Sequence, residues 1–394
     1  MRIIVLAGKP TDSVTHGFLP AAHRLGLRVT LLTDRPGRHE AAYAGRPDAP
    51  AEIRRCEVFD VRAVLDQVGR ADRPDAVFTN SDHLQTQAAL AAAYLGLPGK
   101  DWRATTRTKN KALMRRHLAD QGIDTVRAWP LGADEPVQAV ASAVPYPCVL
   151  KPAEGVASED VFLVGDPGEL AERVALVRRR RPGHPLLVEE YLDGPLYTLE
   201  TLGSECGMRV LGGFRTQLSA PPHFVEERMS WLPAVPGAAR VLRQLRALGV
   251  GLGACHTEFV LQGERARLVE VNYRVIGDQC DLLMADLLAE PLFELILRAH
   301  LGEDVTAPAP ANDPRQARIE WALADRAGVL ICAPPAIDDG ALAYRPLRAV
   351  GDRVALTRTN RDYLGVLRVH GPDNHTVDTA VTRFWADHSW EIAP

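Results

Sequence analysis

Positions 2–7, RIIVLA, form a strand-like run that is apolar from Ile3 on and gives way to the turn GKPTDS and the helically spaced HGFLPAAHRLG, after which a second strand spans Arg28 to Leu32. A strand, a helix and a second strand in this order predict a parallel sheet. The pattern returns in CEVFDV, a helix near Arg62 to Gly69, a strand from Ala76 to Thr79 and a helix from Asp82 through Tyr94 that Asn80 or Ser81 can cap. The opening is therefore Rossmann-like. Its first loop lacks G-x-G-x-x-G, so no dinucleotide site is read there, and Lys9 reads as a solvated loop lysine.

The pattern then changes. TTRTKNKALMRRHLADQGID has one helical face at Leu113, His117 and Leu118 and stops at Gly122. In VPYPCVLKPAEGVASEDVFLV a strand ends at Lys151, a loop of small residues around Gly155 and Ser158 follows, and a second strand closes the pair. A loop of this kind can bring backbone N–H groups close to phosphate oxygens. PLLVEEYLDGPLYTLETL reads as a strand from Leu186 to Val188 running into Glu189 and Glu190, a turn at Asp193-Gly194-Pro195, and a strand from Tyr197 to Leu202. A further strand spans Met208 to Phe214, with Arg215 and Gln217 beyond it. SAPPHFVEERMSWLPA is then expected as a loop carrying His223 and Glu226, before a helix at Gly237 to Leu248.

The stretch from Ala254 to Asp278 carries the densest chemistry. His256, Glu258 and Val260 alternate with Thr257, Phe259 and Leu261, and Leu268 to Val271 resumes strand character after QGERAR. Side chains on a strand repeat every two residues, so Glu270 and Asn272 are expected on one face and Val269 and Val271 on the other. An in-register hairpin brings Glu258 beside that pair. Two carboxylates and a carboxamide oxygen on one face are hard donors, the kind Mg2+ accepts when phosphate completes its shell. An ordinary solvent-facing hairpin is the alternative. Beyond it, helical segments run from Leu282 to Leu301, APAPANDP (307–314) reads as a linker, and four short strands and a helix from Val377 to Asp387 complete the chain.

Composition narrows the choice of partner. Across 394 residues, 46 Lys and Arg against 50 Asp and Glu leave a net charge of -4, so neither a nucleic-acid surface nor an acidic tail is expected, and a small-molecule partner is. No run reaches membrane-spanning length and the first residues lack a signal peptide's features, so a cytoplasmic protein with no membrane partner is expected. Six scattered cysteines without C-x-x-C spacing read as reduced, mostly buried thiols. Only five lysines occur (Lys9, Lys100, Lys109, Lys111, Lys151), against many arginines, which makes each lysine a candidate for a specific task.

Lys111 on a helix, Lys151 at a strand end, the small-residue loop, VEEYL and the E…E-x-N hairpin occur in an order that resembles the ATP-grasp superfamily, in particular its carboxylate–amine ligase branch of L-amino-acid and siderophore-type ligases. VEVNYR is similar to the family's VEVNPR, and HTEF to the strand before it. The resemblance implies an α/β architecture: a Rossmann-like pre-domain (1–104), an ATP-grasp α+β clamp (105–306, its lid subdomain at about 123–188) and a small β-rich C-terminal extension (307–394). It implies ATP as nucleotide and Mg2+ as cofactor, with Mn2+ able to replace it. Lys111 and Lys151 match the lysines that hold phosphates, with Gly155 and Ser158 in the loop over them. Glu189, Glu190, Tyr191 and Leu192 match the hinge that reads adenine and ribose, and Leu268 the residue under the base. Glu258, Glu270 and Asn272 match the metal ligands, and Arg274, with Lys151, the groups that act on the reacting phosphate. Arg215, His223, Glu226 and His256 fall where substrate loops lie.

The implied reaction is ATP-dependent amide formation between a small carboxylate, such as an amino acid, and an amine through an acyl phosphate, in specialised metabolism. The alternatives are a carboxylase or phosphoribosyl-type ligase of nucleotide biosynthesis, or a nucleotide-binding module without catalysis. Relatives of this kind are often homodimers. The chain departs from the family at Leu196, where many relatives have Glu after Gly-Pro, at Tyr273, where Pro is usual, and in the few glycines of its loop.

Overall fold

A computed structural model describes residues 1–70, 73–123, 126–307 and 315–394; positions 308–314 of the expected linker lie outside these. The opening strands Arg2–Leu6, Arg28–Thr33, Glu52–Arg55 and Ala76–Phe78 pair in parallel, in the spatial order third, second, first, fourth. Ile3 and Val5 enter one buried cluster and Ile4 and Leu6 another, as a strand covered on both faces requires. The third strand is EIRR, and CEVFD is the connection after it, where Asp60 caps the helix Val61–Gly69 by accepting from Arg62 N at 2.9 Å. The next helix is Gln85–Leu95, starting after Leu84, so neither Asn80 nor Ser81 caps it.

TTRTKNKALMRRHLAD forms two helices, Trp102–Lys109 and Lys111–Asp120. Asn110 is extended between them and caps the second by accepting from Leu113 N at 3.0 Å. The second helix turns Lys111, Met114, Arg115 and Leu118 inward, while Leu113 and His117 stay half-buried. A four-stranded antiparallel lid sheet follows, in the order Ala128–Leu131, Leu186–Glu190, Cys148–Pro152, Phe162–Val164. Leu170, Val174 and Val177 of the helix Pro167–Arg180 pack against it.

The largest sheet has nine strands, in the order Arg265–Asn272, Gly253–Gln262, Leu196–Ser204, Gly207–Leu218, Glu226–Leu232, Gln316–Leu323, Tyr363–Gly371, Leu342–Pro346, Ile337–Asp338. Two expectations are corrected here. The segment read as a loop, SAPPHFVEERMSWLPA, contains the strand Glu226–Leu232, and Arg215 and Gln217 lie within the strand Gly207–Leu218. Flanking prolines hid the strand in the sequence. Residues beyond 315 are β-rich as expected, but four of their strands extend the central sheet and only Gly328–Cys332, Arg353–Val354 and Glu391–Ala393 form a separate small one. The helix Ala238–Leu248 covers one face of the hairpin end through Val241, Leu245 and Leu248, which cluster with Phe259, Leu268 and Val271. All six cysteines are free thiols, four of them buried and Cys206 and Cys332 exposed. Among the described residues no helix is long and apolar enough to cross a membrane.

Candidate functional site

The hairpin of strands Gly253–Gln262 and Arg265–Asn272 is in register: Glu258 stands opposite Glu270, and His256 opposite Asn272. Phe259 then pairs with Leu268, so Val269 is an extra residue on its strand, a β-bulge. The bulge changes the alternation. Val269 and Glu270 both line the cleft above the sheet, whereas Leu268, 2% exposed, points to the opposite face and packs in the core beside Phe259. The sequence expectation of Leu268 under the base and Val269 on the far face is therefore reversed at that pair. Val149 from the lid and Val260 and Val269 from the hairpin supply the apolar walls of the cleft.

This cleft, of about 1080 Å³ and partly open to solvent, lies between the lid sheet and the central sheet. Lys111, Lys151, Gly155, Ser158, Glu189, Glu190, Tyr191, Leu192, Glu226, Glu258 and Glu270 line it. Like small-molecule sites, it has apolar walls and a few converging polar groups. Leu196, which stands where an acid was expected, lines it too.

Each lysine of the cleft faces a carboxylate. Lys111 Nζ lies 3.0 Å from Glu270 Oε1, and Lys151 Nζ 2.6 Å from Glu189 Oε2. Burial alone would lower the pKa of Lys111, but Glu270 outweighs it and the value is raised. For Lys151 burial prevails over Glu189 and the value is lowered. Burial would raise Glu189, yet Arg115 and Lys151 hold it down to about 2. Sequence reasoning passed over Arg115, whose Nε donates to Glu189 Oε1 at 2.7 Å and whose Nη2 donates to Val269 O at 3.0 Å. The signal was available: Arg115 lies four residues after Lys111, on the same helical face. Glu189 thus presents a buried, doubly paired side chain. Glu190 accepts from Arg127 N at 2.7 Å and is also paired with Arg267.

At the other end of the hairpin a second charged group forms. His256 Nδ1 is 2.8 Å from Glu200 Oε1 and His256 Nε2 is 3.4 Å from Glu258 Oε1. Burial opposes protonation, but the two carboxylates raise the histidine to about 10, so it is a cation that steadies Glu258. Glu200 is 2% exposed and pairs directly across from His256. It was missed, although LYTLETL places Thr198 and Glu200 at alternate positions of an otherwise apolar strand. Glu226 is pushed up to about 8 by burial and by the neighbouring carboxylates Glu258 and Asp278.

The other expected positions are farther from the cleft. Asn272, 6% exposed, is on the hairpin's charged face next to His256. Arg274 donates from Nη1 to Val275 O at 2.8 Å and does not line the cleft. Lys109, the alternative to Lys111, pairs with Asp82. Arg215 lines an adjoining cavity with Gln217, Arg228 and Ser230 rather than this one. His223 is also outside the cleft, next to Phe224 that lines it; burial, Arg358 and Arg173 lower its pKa.

The loop between Pro152 and Phe162 takes an unusual path. Ala157, Ser158 and Asp160 have φ of 58°, 55° and 56°, while its one glycine, Gly155, is not in the left-handed region. Such residues cost on the order of 1–3 kcal/mol each unless their surroundings hold them there. Ser158 Oγ donates to Phe224 O at 2.8 Å, and Arg181 donates to Asp160 at 2.6 Å.

Comparison with known proteins places this geometry. Residues 144–282 match the ATP-grasp domain model. Over its whole length the chain is 26% identical to uncharacterized protein y4rH of Sinorhizobium fredii, covering 84% of that protein. It is 29% identical to carnosine synthase 1 of Gallus gallus, over 65% of this chain and 30% of that one, and 25% identical to a formate-dependent phosphoribosylglycinamide formyltransferase of Nitratiruptor, over 71% and 74%. An L-amino acid ligase from Bacillus licheniformis superposes with a TM-score of 0.82 at 19% identity, covering 100% of this chain and 99% of that one. A phosphoribosylglycinamide synthetase from Anaerococcus prevotii does so with 0.74 at 14%, over 100% and 99%. The domain match spans the lid loop and the hairpin, so residues 144–282 carry an ATP-grasp domain, and the fold is shared from end to end with the L-amino acid ligase.

Proposed function

We propose that the cleft binds ATP and catalyses amide formation between a small carboxylate and an amine, by way of an acyl phosphate. The observation that carries this reading is the convergence of Lys111 and Lys151 with Glu258 and Glu270 on one cleft between two sheets. The backbone of Glu189 to Leu192, at the end of a lid strand, is suited to reading a base edge, with Val149, Val260 and Val269 around it. Glu190 is the candidate for the ribose.

The donor set fits Mg2+. Glu258 and Glu270 are opposed on one face, Asn272 follows on it, and all three offer hard oxygens. Burial and the neighbouring carboxylates together push Glu226 up to about 8, and a dication would relieve the second of these causes. Mg2+ held there would neutralise phosphate charge. Glu270 can then exchange Lys111 for the metal, leaving that ammonium for a phosphate oxygen. Lys151 can turn to phosphate while Arg115 keeps Glu189 neutralised.

In the first step a carboxylate oxygen attacks the γ-phosphorus, the bond from that phosphorus to the bridging oxygen breaks, and ADP leaves. In the second the amine nitrogen attacks the acyl carbon, the C–O bond to phosphate breaks, and the nitrogen loses a proton. Arg274, to which the resemblance gives the transferred phosphoryl group, stands outside the cleft and takes no part in this step. The oppositely charged groups are fixed before reaction, and such preorganised contacts are worth on the order of a hundredfold in rate each.

The test is a phosphate-release screen over pairs of amino acids or other small carboxylates with amines, with mass spectrometry of the products. ADP release that requires both partners and yields the condensed mass is expected. Release that requires bicarbonate or a phosphoribosylamine moves the assignment to the carboxylase or phosphoribosyl reading, and ATP binding without turnover across the panel rejects catalysis.

A further inference from the structure

The segment beyond residue 315 adds more than strands to the central sheet. Its turn Asn360–Asp362 is one of the places where the lid loop meets the body of the molecule. Asn360 N donates to Ala157 O at 3.3 Å, and Asn360 Oδ1 accepts from Glu226 N at 3.1 Å. One residue thus joins the left-handed part of the loop to the start of the strand whose side chain Glu226 enters the cleft. Beside it Arg361 pairs with Glu159, which Arg181 also holds at 2.8 Å. Tyr363, directly after the turn, donates from its hydroxyl to Glu226 O at 3.1 Å.

The turn is itself rigid. Asp362, 3% exposed, accepts from Thr357 N at 2.9 Å, Thr357 Oγ1 at 2.6 Å and Arg358 N at 2.5 Å. On its other side the loop is tied to the helix Lys111–Asp120: Lys111 N donates to Ala153 O at 3.0 Å and Asn110 Nδ2 to Glu154 Oε1 at 2.9 Å. A loop in which three residues without glycine's freedom adopt left-handed backbone holds that path only if bonded from outside. The bonds come from both flanks, and those from Asn360 to Ala157 and from Arg361 to Glu159 span a sequence distance of about two hundred residues.

We infer that Asn360 and Arg361 are positioning residues that pin the lid loop over the phosphate end of the cleft. The inference rests on the ligase reading for its catalytic consequence, since a pinned loop keeps water from an acyl phosphate. Its structural part stands without that reading. Neither residue lines the cleft, so both act through the loop.

Hydrogen exchange on the full chain without nucleotide tests the structural part. Asn360→Pro removes the N–H to Ala157 and the side-chain acceptor at the first position of a helical turn after extended Thr359, where proline is well tolerated. Arg361→Ala removes only the pair with Glu159. Amides 156–161 are expected to exchange roughly five- to tenfold faster in each variant, with the hairpin 253–272 unchanged. In the turnover assay each variant should raise KM for ATP more than it lowers kcat and increase ADP formed without amide. Loop protection equal to wild type in both variants overturns the proposal, whatever the reaction. Should Asn360→Pro disturb the whole fold, Arg361→Ala alone decides. Faster loop exchange with no ligase turnover in the wild type leaves the pin in place and removes the ligase reading.

Discussion

The two lysine–carboxylate pairs of the cleft look alike and differ in what surrounds them. Lys151, Glu189 and Arg115 have side chains at most 7% exposed, and Glu189 is shared between two cations. Glu270, opposite Lys111, is 20% exposed and opens on the cleft beside Glu258. In the first set a carboxylate is committed to the interior and one of its cations is free to be lent out. In the second, the carboxylate is the more exposed, and the proposed magnesium nucleotide would give both members new partners. The same contact is thus a structural fixture in one place and an exchangeable element in the other.

Breaking the interior set should have the largest effect. Glu189→Leu leaves Lys151 and Arg115 buried without a counter-charge, which costs about 3–5 kcal/mol by the usual measure of broken buried pairs. Chemical denaturation measures it, and Lys151→Met added to the same chain should recover part of the loss. A change below about 1 kcal/mol would show the set to be solvated. Glu270→Gln should do the reverse: on the order of a hundredfold or greater loss of ATP turnover with a denaturation midpoint near wild type. Turnover at the wild-type rate removes Glu270 from the chemistry.

A third substitution separates core from cleft on one strand. Leu268→Ala should cost about 2–4 kcal/mol in stability, as expected for a filled core position, while nucleotide affinity stays within about twofold. Affinity that falls along with stability would return Leu268 to the base. The smallest effect concerns Lys100, whose Nζ donates to Gln85 Oε1 at 2.8 Å and Tyr273 O at 2.5 Å, with no carboxylate partner among the described residues. Burial lowers it to about 7, below its unfolded value of 10.5. The unfolded chain then binds more protons between these values, so the cost of burying the charge is greatest below about pH 7 and is relieved as pH rises. Relative to Lys100→Met, the wild type should gain on the order of 1–2 kcal/mol between about pH 7 and pH 9. Parallel pH profiles for the two proteins would contradict the lowered value.

What could be read in advance follows the range of the interactions involved. The parallel opening, the lid strands and the facing of Glu258 and Glu270 depend on short periodicities, and these are visible in the chain. The bulge at Val269 is not, because it is a property of how two strands slip past one another, and it moved both Val269 and Leu268 to faces opposite those expected. Glu200 and Arg115 lay in legible patterns, a polar position inside an apolar strand and a four-residue helical spacing, but neither has meaning until its partner is placed. The strand Glu226–Leu232 was obscured by prolines on either side. The ties from Asn360 and Arg361 to the lid loop join segments about two hundred residues apart, and no local pattern announces them.

The central claim is that the paired carboxylates of the hairpin and the two lysines close on one magnesium nucleotide. Calorimetric titration of a non-hydrolysable ATP analogue into wild type and Glu270→Gln, each with and without Mg2+, tests it most directly. Mg2+ should tighten binding to the wild type by roughly tenfold or more and have little effect on the variant. An equal response to Mg2+ in both proteins would contradict the claim.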